Sequence, residues 1–106
     1  MTTFDKREEA FERQFAHDEE LKFKAEARRN RMLGLWAAEK LGKSGADADT
    51  YAKEVVAADF EEAGGGVLRK VLGDLTAKGT AITEAEVRAK MSELLVAAVA
   101  QVKAGE

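Results

Sequence analysis

Not one proline interrupts the 106 residues of this chain. A proline inside a helix removes a hydrogen bond and clashes with the preceding turn, so a chain without it is free to run long helices. Ala, Glu, Lys, Leu and Arg are abundant, and these are strong helix formers. Glycine is then the remaining punctuation. Gly42-Lys43-Ser44-Gly45, Gly64-Gly65-Gly66 and Gly79 divide the chain into four helical stretches, with no credible strand between them. The expectation is an all-α, four-helix bundle-like domain with a long, partly mobile N-terminal helical segment.

The last stretch reads most clearly. Thr83 with Glu86 forms a capping box, and Val87, Met91, Leu94, Leu95, Ala98 and Val102 follow at spacings of three and four. The third, Gly66 to Lys78, carries Val67, Leu68, Val71, Leu72 and Leu75, with Gly79 as its C-terminal cap. The second starts near Ser44 or Asp47 and is expected to bury Ala52, Val55, Val56 and Phe60, with Tyr51 at its edge.

The first stretch, Asp5 to Leu41, is unlike the others. Residues 5–31 hold eight basic and eight acidic side chains. On a helical wheel Phe4, Phe11 and Phe15 share one narrow stripe, which Asp18 and Lys22 then interrupt. Leu21, Ala25, Met32 and Trp36 form a second stripe, turned by roughly a quarter circle. Two apolar directions suggest two destinations. Leu21 onward packs in the chain's own core, while the Phe stripe either caps that core or is offered to a partner's groove.

Several function classes are disfavoured. Without cysteine there is no disulfide and no thiolate metal site. No apolar run approaches the ~18 residues that cross a bilayer, so direct membrane insertion is not expected. The N-terminus lacks the apolar core of a secretory signal. A net charge of −3, from 17 basic and 20 acidic residues, argues against nucleic acid as the main partner. His17 is the one histidine and lacks the companions of a metal site or triad, which leaves a pH-sensing role open. Arg28, Arg29 and Arg31 read as a solvated face or as a contact for an acidic partner.

Ala37 to Ser44 matches a relaxed phosphate-loop pattern but follows a helix, where a true phosphate loop follows a strand. What survives is an anion contact at Lys43, Ser44 and the amides that open the second helix; a plain helix–helix turn explains the same residues. No catalytic residue and no metal ligand emerges, and the chain is not expected to be an enzyme. A general helical protein-binding adaptor is an alternative reading, because its sequence pattern would look the same.

A resemblance narrows this. Phe15-Ala16-His17-Asp18-Glu19-Glu20, Ala25-Glu26-Ala27-Arg28-Arg29-Asn30 and Gly34-Leu35-Trp36-Ala37-Ala38-Glu39 resemble the zeta subunit of alphaproteobacterial F-type ATP synthases. Tyr51 to Val56 and Ala58 to Gly64 strengthen it, and the departures gather around Gly64 to Gly66 and Gly79 to Ile82. The resemblance implies a four-helix inhibitor of ATP hydrolysis whose N-terminal segment enters a catalytic interface. Its implied partners are the alpha and beta subunits, with gamma as an open third, in the cytoplasm and peripheral to the inner membrane through the synthase. Carried over, residues 1–18 are the inhibitory segment and 19–106 the bundle domain, and Phe4, Arg7, Phe11, Phe15 and His17 are partner-binding positions. The resemblance also implies weak ADP or ATP binding by the bundle, with no cofactor required; Lys43 and Ser44 are the candidate contacts.

Overall fold

The structure is a computed structural model, and it describes residues 19–62 and 65–105. Every regular element among them is helical: α1 (Glu19–Lys40), α2 (Gly45–Glu61), α3 (Gly66–Ala77) and α4 (Glu84–Lys103). The fold is an all-α, four-helix arrangement. α1 is its hub and touches the other three helices, whereas α2 and α4 do not touch each other.

Glycine sets the turns by a shared device. Gly42 has φ +78°, a left-handed conformation that costs glycine nothing. The Gly42 amide donates to the Glu39 carbonyl at 3.1 Å, and the Lys43 amide donates to the Ala38 carbonyl at 2.8 Å. This is a Schellman cap, which satisfies carbonyls that the end of α1 would leave open. α3 ends the same way: Gly79 has φ +90°, with Gly79 donating to Thr76 at 3.0 Å and Thr80 to Leu75 at 3.0 Å. At the start of α4 the Glu86 amide donates to the Thr83 hydroxyl at 3.2 Å, and that hydroxyl donates to the Glu86 carboxylate at 3.3 Å. Ser44 caps α2 by position, but its side chain accepts no capping hydrogen bond.

Leu33, Ala37, Ala38, Tyr51, Val55, Val67, Leu68, Val71, Leu75 and Val87 form the core. α1 buries Ala25, Asn30, Leu33, Gly34, Ala37 and Ala38. Trp36 and Met32 are half-buried rather than fully enclosed. The reason lies in the contact with α2. A Cβ added to Gly34 would stand 2.6 Å from the Ala52 Cα, so the two backbones approach through their smallest residues. Larger side chains are displaced to the flanks. Trp36 there has two ammonium groups near its ring, Lys40 Nζ at 5.1 Å and Lys90 Nζ at 5.8 Å from the ring centre, a cation–π arrangement.

Two assignments on α2 are corrected. Phe60 is 71% exposed, because the buried face runs through Tyr51, Ala52, Val55 and Ala58 and Phe60 lies off it. Tyr51 is buried to 4% exposure, because its hydroxyl has a partner on α3.

Candidate partner interface

Phe4, Arg7, Phe11, Phe15 and His17 lie outside the described residues. What the described residues supply is the surface beside that segment, at the beginning of α1.

Phe23 sits one turn into α1 between Lys22 and Lys24 and is 60% exposed. Its ring meets that of Phe60 on α2 with centroids 6.4 Å apart and planes tilted by 52°. This offset, tilted geometry is one that aromatic pairs prefer. Beneath the rings Glu26, Ala27, Asn30, Val56 and Asp59 line a small hollow. Asn30 is buried, and its side-chain oxygen accepts from Arg29 Nε at 2.7 Å. Burial pulls the Arg29 guanidinium below its ordinary range, while Glu26 and Asp59 act in the opposite sense. It stays cationic, since guanidinium is not deprotonated in proteins. The site is therefore an aromatic step with mixed charge at its rim.

The three arginines, read as a solvated face or as a contact for an acidic partner, have separate partners. Arg28 donates to the Gln101 side-chain oxygen on α4 at 3.1 Å. Arg29 turns to Asn30, and Arg31 pairs with Asp49 on α2 at 3.7 Å. Arg28 ties α1 to α4 and Arg31 ties it to α2, and both line one hollow, while Arg29 bonds within α1.

Lys43 and Ser44 are exposed in the α1–α2 turn. The Gly42 and Lys43 amides in this turn donate to helix carbonyls, as a helix–helix turn requires. The Lys43 ammonium lies 6.0 Å from the Tyr51 ring centre, at an open hollow of about 450 Å³. Lys70 and Lys78 contribute positive charge there, and Glu54 and Asp74 negative charge. Tyr51 donates its hydroxyl to Asp74 Oδ2 at 2.8 Å, Lys70 Nζ pairs with the same oxygen at 3.2 Å, and Lys70 also lies 5.1 Å from the ring centre. Among the described residues no group of His, Cys, Asp or Glu is placed to hold a metal.

Burial, then the hydrogen bond to Asp74, then the charges of Asp74 and Glu54 raise the Tyr51 pKa above the ordinary tyrosine value near 10. A raised folded-state pKa gives stability that is fully present below the unfolded value and lost as pH rises toward the folded one. Tyr51 is the one tyrosine in the chain, so phenolate absorbance reports it directly. An alkaline titration should show no phenolate at pH 10 while the fold persists, and phenolate appearing together with helix loss above it. A midpoint near 10 with the helices intact would contradict the buried hydrogen bond.

The sequence pointed to the Phe stripe but not to the Phe23–Phe60 step. Phe23 stands between two lysines, a local sign of exposure, but its pairing with a residue 37 positions on is a tertiary fact. Residues 1–101 match the family model described as ATPase inhibitor subunit zeta. Three solved chains match the fold, and one described as a solution NMR structure is 59% identical, with a TM-score of 0.70 over 81% of this chain and 99% of that one. No curated protein matches.

Proposed function

The chain belongs to the ATPase inhibitor subunit zeta family, and from that premise we propose that residues 1–18 insert at an alpha/beta catalytic interface of a rotary ATP synthase while residues 19–106 stay outside as a docked bundle. Its family role is regulatory: it inhibits an ATPase and associates with that enzyme. The observation that carries the finer reading is the extent of the match, which spans the N-terminal segment and the bundle together. A catalytic interface of a rotary motor opens and closes in each cycle. A wedge that binds one of those states better than the next holds the motor in it, because a ligand shifts an equilibrium by its differential affinity. Phe4, Phe11 and Phe15 are the apolar anchors, with Arg7 and His17 as polar contacts beside alpha and beta, and gamma is reached if the wedge is deep. Among the described residues no helix is long and apolar enough to cross a membrane. The reading places the chain on the cytoplasmic face, held at the membrane through the synthase.

The native chain has no cysteine, so one introduced thiol is unique. Glu12→Cys carrying a photo-crosslinker, bound to the catalytic sector of a related synthase, should join to both alpha and beta. Adducts confined to other subunits would overturn insertion. Weak adenine nucleotide binding is a second reading, favoured by the lysine-edged hollow at Tyr51, with Lys43 and Ser44 as the contacts. The Tyr51 ring is again the reporter: millimolar ATP should shift its NMR resonances, and unshifted resonances would remove that reading.

A further inference from the structure

We propose that the Phe23–Phe60 step is a second anchor, through which the bundle itself grips the catalytic sector of the synthase beside the point where residues 1–18 enter; the proposal rests on the insertion reading above. Three observations carry it. Two large aromatics from different helices stand 60% and 71% exposed yet touch each other, giving one contiguous apolar surface rather than scattered residues. Such surfaces on soluble proteins mark interaction sites, and the aromatic centre with a charged rim is the anatomy of a binding hot spot.

Position names the occupant. Phe23 lies four residues past Glu19, ~6 Å along α1 at ~1.5 Å per residue. A partner that holds residues 1–18 therefore brings its own surface to within about one helical turn of the step. Among the described residues the rings touch each other and pack into no core cluster. Both lie outside the core, and the helices that carry them are joined instead through Gly34, Ala52 and the Arg31–Asp49 pair. The rim limits the chemistry of the recipient. Glu26, Arg29 and Asp59 carry both signs, so the recess that accepts the rings is apolar and flanked by polar groups of both signs, not a uniformly charged face.

The test uses the full chain in a titration of ATP hydrolysis by the catalytic sector of a related synthase. Phe23→Ala/Phe60→Ala should raise the concentration for half-inhibition by roughly tenfold or more, as expected for hot-spot aromatics, with melting shifted by no more than a few degrees. Phe60→Lys alone, at a position too exposed to disturb folding, should weaken inhibition in the same direction. Unchanged half-inhibition in both variants overturns the proposal. So does unchanged inhibition accompanied by loss of self-association in sedimentation, which would make a second copy of this chain the occupant. A melting loss in the double variant with full inhibition by Phe60→Lys assigns the step to the fold and overturns it as well. Phe4→Ala/Phe11→Ala/Phe15→Ala run beside these separates the two levels. If it still inhibits, the insertion reading has failed; if it does not while the Phe23/Phe60 variants inhibit fully, this proposal alone has failed.

Discussion

Gly34→Ala should lower the melting temperature by roughly 10–15 °C, although alanine is the better helix former by ~1 kcal/mol. The added methyl would stand 2.6 Å from the Ala52 Cα, 3.1 Å from the Ala52 Cβ and 3.3 Å from the Val55 Cβ. The nearest of these is backbone, which cannot rotate away as the tip of a long side chain can. α1 and α2 would have to separate. Overpacking a close-packed contact costs ~1–3 kcal/mol, and a backbone clash belongs at the upper end of that range. The propensity gain offsets about 1 kcal/mol of it, and each remaining kcal/mol is worth about 4–8 °C in a domain of this size. Gly73→Ala is the internal comparison. That glycine is also mid-helix, but an added methyl would meet nothing within 4 Å, so propensity acts alone and melting should rise by a few degrees. Equal shifts in the two variants, measured by circular dichroism, would contradict the close α1–α2 crossing.

Phe4→Ala/Phe11→Ala/Phe15→Ala should retain the fold and lose most of its inhibition. Few anchors carry most of an interface's energy; at ~2 kcal/mol or more per hot spot, the loss of three exceeds a hundredfold in affinity. The segment has little else to hold it, since residues 5–18 are otherwise mostly charged or small. The matching stability control is Leu75→Ala. Leu75 is fully buried, and its truncation removes ~2–5 kcal/mol. Trp36→Ala is a poorer control, because Trp36 is half-buried and has the Lys40 and Lys90 ammonium groups near its ring. If the triple variant melts as early as Leu75→Ala, the Phe stripe belongs to the bundle's stability and not to the partner.

The bundle was legible where chemistry is local. Absent proline, the Gly42 and Gly79 caps and the Thr83 hydroxyl act within a few residues of themselves, so the order of the four helices and the ends that these caps set could be read along the chain. α3 was legible too, because Val67, Leu68, Val71 and Leu75 are large and face one way. α1 was harder. Its buried face is built of Ala25, Asn30, Gly34, Ala37 and Ala38 around Leu33, and small residues carry almost no periodic signal. The closeness they permit matters more than the area they bury. Tyr51 and Phe60 were exchanged for a related reason: hydrophobicity ranks Phe above Tyr for burial, but Tyr51 finds Asp74 and Phe60 points away from the seam. The Phe23–Phe60 step and the dispersal of the three arginines depend on which helices meet, which spacing along one helix does not encode.

Restraint of ATP hydrolysis through the first eighteen residues is open to a direct test. The direct measurement is steady-state ATP hydrolysis by the catalytic sector of a related synthase, titrated with the intact chain and with the triple Phe variant, each shown by circular dichroism to be helical at the assay temperature. The expected result is a saturable fall in hydrolysis with the intact chain and little or none with the variant over the same range. Hydrolysis that the intact chain leaves unchanged, or that both chains suppress equally, would contradict it.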